Sequence, residues 1–84
     1  MAKNPTPDLT RTQGQYLAFI YYYYSKIIGQ APSEADFQRY FRVSPPSVHN
    51  MIVTLDERGF ISRERGRARS IKLLVAREDI PDLD

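Results

Sequence analysis

Eighty-four residues make one small domain, and a chain of this size buries only about 60–65% of its unfolded surface in a single modest core. Cysteine is absent and His49 is the one histidine, so the sequence offers neither disulfides nor the ligand set of a conventional zinc or haem site, and no cofactor is expected. The net charge of +2 at pH 7 excludes little on its own.

The distribution of that charge says more. Seven basic side chains lie between Arg58 and Arg77 against one acid, Glu64, whereas Glu78 to Asp84 carry four acids and no base. A basic patch followed by an acidic tail points to an anionic partner for the patch, a merely solvated surface being the plain alternative. The longest strongly apolar run, Tyr16 to Tyr24, spans nine residues. A membrane helix needs about 20, so a soluble, cytoplasmic chain without a signal peptide or a membrane partner is expected.

Residues 1–8, "MAKNPTPD", have two prolines and no apolar periodicity and read as a flexible arm. The first helix should start behind Thr10, where "TRTQ" carries a threonine cap with glutamine three residues on. At 100° per residue, Tyr16, Leu17, Phe19, Ile20, Tyr23, Tyr24, Ile27 and Ile28 fall on a broad inward face. Gln15, Ala18, Ser25 and Lys26 fall opposite, Tyr21 lies at the edge, and Tyr22 points away. Gly29 is a good left-handed terminator, with Pro32 soon after.

A second, short helix starts at Ser33, with Glu34 and Asp36 in the favourable first turn and Phe37, Tyr40 and Phe41 at i, i+3, i+4 spacing. A tight turn, "RVS", leads to a third helix capped by Ser44, with Pro45 at the first helical position. Val48, Met51, Ile52 and Leu55 should face inward, and Gly59 should close the helix. The period then changes to two: "FISRERGRARSIKLLV" reads as a β-hairpin with Gly66 at its tip and Ile71, Leu73 and Val75 on one face. The tail past Glu78 is expected to be disordered. The fold class is mainly α with a small β-hairpin, a three-helix winged helix-turn-helix over residues 9–76, followed by an acidic tail over residues 77–84.

In helix-turn-helix proteins the N-terminal residues of the second helix enter the major groove. On the third helix the outward candidates there are Pro46, Ser47, His49 and Asn50, flanked by Val53 and Thr54. Asn50 suits adenine N6/N7, and His49 can donate to a purine N7. Ser44, at the helix start, suits a phosphate. Arg63, Arg65, Arg67 and Arg69 cluster at the hairpin tip, where folding has no evident use for them, and should lie along a phosphate backbone. Solvated surface side chains are the competing account of each residue taken alone. The expected partner is double-stranded DNA.

Catalysis finds no support. Ser47 and His49 are two apart on a helix and face different directions, no acid is placed to orient the histidine, and no glycine-rich phosphate loop occurs. No small-molecule pocket is legible. A winged-helix interaction module is the alternative function, with Tyr21 and Tyr22 as a candidate self-association face for a homodimer. A further alternative has the acidic tail folding back on the basic wing and competing with DNA.

The stretches "LTRTQGQYLAFI", "GQAPSEADFQRYF", "SPPSVHNMIVTLDERGFISR" and "RARSIKLL" resemble the DNA-binding domain of the LexA repressor family over about Leu9 to Leu74. The resemblance implies a bacterial repressor at the nucleoid, with a recognition helix in the major groove of a palindromic operator and a wing on the backbone. It also implies Pro46, Ser47, His49 and Asn50 as base-reading residues. LexA repressors carry a second, C-terminal domain with a serine-lysine pair for self-cleavage and most of the dimer contact. The chain is expected to be a free-standing regulator lacking both. Arg42 stands where a glycine often sits in that family, in a link one residue shorter.

Overall fold

A computed structural model describes residues 8–84; of the arm expected over residues 1–8, all but Asp8 lies outside the described residues. Helix α1, Arg11–Tyr22, begins at the expected cap. Thr10 is extended, its hydroxyl accepts from the Gln13 N–H, and the Gln13 side chain accepts from the Thr10 N–H at 3.0 Å. Two of the helix's otherwise unsatisfied donors are thereby paired.

The end of this helix differs from the expected one. Residues Tyr23–Ile28 continue as a π-helical segment that stops at Gly29, which is left-handed at φ 69°. Hydrogen bonds of the i→i+5 type widen the turn, so residues beyond Tyr22 rotate away from a stripe extrapolated at 3.6 residues per turn. Tyr24, Ile27 and Ile28 are 60%, 49% and 47% exposed, which corrects their expected place in the core. Tyr23 stays half-buried, its ring 5.5 Å from that of Phe19.

Ala18 is corrected in the opposite direction, being buried although it was expected to face solvent. The cause is the C-terminal segment, which is ordered against α1 and not disordered. Arg77–Asp79 form a 3-10 turn, Ile80 enters the core, and Leu83 packs against it. Pro81 approaches so closely that a Cβ on Gly14 would lie 2.9 Å from its ring carbon. Gln15 donates to the Asp82 carbonyl at 3.0 Å and accepts from the Asp84 N–H at 2.9 Å. The Tyr40 hydroxyl donates to the Asp84 carbonyl at 2.6 Å, and Arg11 pairs with the Asp84 carboxylate. The tail's Asp84 therefore engages α1 and Tyr40, and the wing arginines find their acids elsewhere.

Helix α2, Glu34–Phe41, is capped by Ser33, whose hydroxyl accepts from Asp36 N–H while the Asp36 carboxylate accepts from Ser33 N–H at 2.9 Å. Phe37 is fully buried. Its ring lies 5.1 Å from Tyr16, which stacks on Phe41 at 4.6 Å, and Tyr40 stacks on Phe19 at 4.6 Å. Each such pair adds about 0.5–1.5 kcal/mol beyond its buried area, so aromatic side chains join α1 to α2.

Arg42 ends α2 in the left-handed conformation (φ 56°, ψ 50°), its N–H donating to the Gln38 carbonyl at 2.9 Å. That is the geometry for which glycine is the usual choice. Helix α3, Pro45–Glu57, follows, capped by Ser44 with Pro45 at its first position. Val48, Ile52 and Leu55 are fully buried, Met51 packs beside them, and Gly59 at φ 78° turns the chain into the hairpin.

The hairpin is short. Strands β1, Ile61–Ser62, and β2, Lys72–Leu73, are antiparallel with Ile61 opposite Leu73 and Ser62 opposite Lys72. The Leu74 N–H extends the pairing to the Phe60 carbonyl at 2.9 Å. Ile71, Leu73 and Val75 pack on the core while Leu74 points out, as a period of two requires. The architecture is a three-helix winged helix-turn-helix with a small β-hairpin. Among the described residues no helix is long and apolar enough to cross a membrane.

Candidate nucleic-acid interface

The buried stripe of α3 determines what its outer face presents. With Val48, Ile52 and Leu55 turned inward, Pro46, Ser47, His49 and Asn50 are all exposed on the N-terminal half of the helix. The Asn50 side-chain amide has no hydrogen-bond partner among the described residues; the Asn50 backbone carbonyl accepts from the Thr54 hydroxyl at 2.9 Å. Ser47 is less free. Its N–H donates to the Ser44 oxygen at 3.3 Å, and the two hydroxyls lie 3.0 Å apart. Ser44 thus acts as the helix cap and remains exposed. Val53 and Thr54, expected beside the outer face, are half-buried.

His49 has a neighbour that sequence reasoning did not supply. Its Nδ1 lies 3.4 Å from the Glu34 carboxylate at the start of α2. An acid is therefore placed beside the histidine, against the expectation that none would be. The Ser47 hydroxyl is occupied by Ser44 and not by His49, so no serine-histidine pair results.

The wing is laced by its own turn. Gly66 takes φ 73° at the tip, the Arg67 N–H donates to the Glu64 carbonyl at 3.2 Å, and the Ser70 hydroxyl accepts from the Glu64 N–H at 2.9 Å. Its four arginines divide into two pairs. Arg65 is exposed without an ion-pair partner among the described residues, and Arg67 meets Glu64 at 2.8 Å with both side chains in solvent. An exposed pair of that kind contributes about 0–1 kcal/mol and exchanges readily. Arg63 and Arg69 are drawn to acids of the helices. Arg63 Nε donates to Asp56 on α3 at 3.2 Å, and Arg69 donates to Asp36 on α2 at 2.9 Å. Folding therefore uses two of the four arginines, contrary to the expectation that it requires none.

Asp36 concentrates these contacts. Burial alone would raise its pKa; the Ser33 backbone, the Tyr23 and Ser33 hydroxyls and the Arg69 guanidinium outweigh burial and hold it below the usual carboxylate value. Asp36 also pairs with Arg39. An open groove runs between Pro32, Ser33 and Glu34 on one side and Arg67, Ala68 and Arg69 on the other. Glu34, which lines it, is the residue that meets His49, whereas Pro46, Ser47, His49 and Asn50 do not line the groove.

The tyrosines expected to self-associate are separated by their surroundings. Arg77 stacks over Tyr21 with its guanidinium 4.4 Å from the ring centre, and its hydrogen bond leads the causes that lower the Tyr21 pKa. Tyr22 is exposed, in a shallow hollow shared with Ile27 and Tyr40. Glu34 and Asp36 were singled out in the sequence only for their place in the first turn of the second helix, and not as neighbours of His49 and Arg69. Of the two, only Asp36 left a further signal, as the third residue behind a serine cap.

No family model matches the chain. Curated relatives do. The LexA repressor of Thermosipho melanesiensis is 33% identical over 72 residues, covering 86% of this chain and 36% of the relative. That of Thermosipho africanus is 32% identical over 73 residues (87% and 36%), and that of Thermotoga maritima 32% identical over 66 residues (79% and 33%). The chain spans about a third of the length of the curated relatives it matches. With its three helices, tight turn and hairpin, the chain is similar, over most of its own length, to the N-terminal portion of LexA repressors.

Proposed function

We propose that the chain is a sequence-specific double-stranded-DNA-binding regulator of transcription, of the repressor kind that the name of its relatives describes, and acts without catalysis. The observation that carries this reading is the outer face of α3. It presents small, neutral, hydrogen-bonding side chains on a rigid helix, beside a wing whose Arg65 and Arg67 project into solvent. Pro46, Ser47, His49 and Asn50 read base edges in the major groove, with the free Asn50 amide suited to adenine and His49 to a purine N7. Ser44, Arg65 and Arg67 meet phosphates, which supply affinity without sequence information.

Selection of random duplexes by the purified protein tests it. An enriched site should emerge, and His49→Ala should relax preference at one or two of its base pairs. Equal binding of enriched and random duplexes would sink the reading.

The exposed strip of Tyr22, Ile27 and Tyr40 favours a second role, contact with another protein chain, a second copy included. Sedimentation of the wild type and of Tyr22→Glu decides: a dimer that becomes a monomer supports it, and a wild type monomeric at high concentration removes it.

A further inference from the structure

Arg69 carries a formal charge at the wing and looks, in sequence, like its neighbours Arg65 and Arg67. Its surroundings set it apart. The residue is left-handed at φ 57°, a conformation that costs a non-glycine residue energy and needs compensation. The side chain leaves the hairpin and crosses to α2, where its guanidinium donates to Asp36 at 2.9 Å and to the Ala31 carbonyl at 3.3 Å. It passes 5.8 Å above the Tyr23 ring on the last part of the first helix. One side chain thus ties the wing to the segment before α2, to α2 itself and to the first helix.

The acceptor is built for the contact. The Asp36 side chain is 3% exposed and already holds the Ser33 N–H of the α2 cap. A carboxylate so enclosed draws charged partners: Arg39 on its own helix is one, and Arg69 is the one that reaches it from the wing, donating to the neighbouring Ala31 carbonyl as well. Apart from the apolar base of the hairpin, where Ile61, Ile71, Leu73 and Val75 pack on the core, and the Arg63–Asp56 pair, the wing has two residues in each strand and a glycine at the tip. Strands this short do not fix the tilt of a hairpin by themselves.

We propose that Arg69 is a positioning residue and not a phosphate ligand: by anchoring the wing to Asp36 of α2, it sets the angle at which Arg65 and Arg67 face the nucleic acid. The proposal rests on the DNA-binding reading for its last step, but the anchoring itself does not.

Salt dependence separates the two roles. A side chain that neutralises a phosphate lowers the slope of log affinity against log salt by about 0.9 when removed, whereas a positioning residue changes it only through the side chains it positions. Arg67→Met should weaken binding to the enriched duplex and lower the slope by about 1. Arg69→Met should weaken binding of the wild type, but in an Arg65→Met/Arg67→Met background it should leave the slope unchanged, at a temperature where melting curves show the proteins folded. Asp36→Asn is the sharper variant. Removing an acid from a DNA-binding protein ordinarily tightens binding, yet here it should weaken it, and the double variant with Arg69→Met should be no worse than either alone. A slope lowered further by Arg69→Met in the Arg65→Met/Arg67→Met background, or tighter binding by Asp36→Asn, overturns the proposal.

Amide exchange in the absence of DNA isolates the anchoring. The Arg67 N–H, hydrogen-bonded within the tip turn, and the Leu74 N–H, hydrogen-bonded across the hairpin, should exchange faster in Arg69→Met and less so in Arg69→Lys. Unchanged exchange overturns the anchor whatever the DNA result. Faster exchange in a protein that binds no duplex preferentially supports the anchor and removes only the DNA-binding reading.

Discussion

The outer face of α3 and the wing are both exposed, yet they are held in different ways. Helix α3 is fixed from behind by three fully buried aliphatic side chains, Val48, Ile52 and Leu55, so its outer side chains are not needed to hold it, and the Asn50 side chain has no hydrogen-bond partner among the described residues. The wing packs on the core only at its base, through Ile61, Ile71, Leu73 and Val75, and beyond its short strands it is fixed by charges, Arg63 to Asp56 and Arg69 to Asp36. Apolar burial is non-directional and leaves the opposite face chemically free. Ion pairing is directional and consumes the very groups that would otherwise bind an anion. The helix can therefore be all reader, while the wing must divide its arginines between scaffold and ligand.

The largest effect should come from removing the support of the helix. Leu55→Ala leaves a cavity under α3 and should destabilise the domain by about 2–5 kcal/mol, a large share of the stability of so small a core. Urea denaturation measures it, and a loss below about 1 kcal/mol would show that α3 is held by something other than its stripe.

Next in size is the face itself. Asn50→Ala should cost about 1–3 kcal/mol of discrimination at one base pair while leaving stability unchanged. Competition binding with single-base variants of the enriched site reads this directly. A uniform loss across all sequences would make Asn50 a backbone contact.

Acid should act on the wing before it acts on the helix face. Asp36 has a folded-state pKa below its unfolded value of about 3.9. Its stabilising contribution is therefore fully present above that unfolded value and is lost as pH falls through the folded one. The gap in denaturation midpoint between wild type and Asp36→Asn should be constant from pH 7 to about 5 and close below about pH 4. A gap that does not begin to narrow as pH falls below about 4 would assign the stabilisation to something other than the charge.

The smallest change concerns the turn between α2 and α3. Arg42 holds φ 56° without the freedom of glycine, so Arg42→Gly should relieve up to about 1 kcal/mol, partly offset by the looser unfolded chain. A rise of a few degrees in melting temperature is expected. A fall would mean that the Arg42 side chain contributes more than its backbone costs.

Most helix boundaries were legible because they are local. Thr10, Ser33 and Ser44 each cap within three residues, Pro45 and Gly59 fix backbone angles by their own covalent structure, and these signals survive any packing. Where the first helix leaves the α repeat was not local. A stripe read at a fixed period cannot register a π-helical segment, so Tyr24, Ile27 and Ile28 were assigned to a core that they do not reach. The tail was misread for a related reason. Ile80 and Leu83 are too few to suggest order in an acidic segment, and the core of α1 residues that they join, like the Gly14 that Pro81 meets, lies about 60 residues or more away in sequence.

By itself the sequence determined the order of elements, the inward stripe of α3 and hence the identity of Pro46, Ser47, His49 and Asn50 as the outward set. Periodicity and capping depend on neighbours along the chain, and those the sequence states outright. Only the tertiary structure decided which arginines of the wing are spent on Asp36 and Asp56 and which remain for a ligand. A charge looks the same in sequence whether its counterion is water, a phosphate or a carboxylate 33 positions away, and only folding brings that carboxylate within 2.9 Å of Arg69.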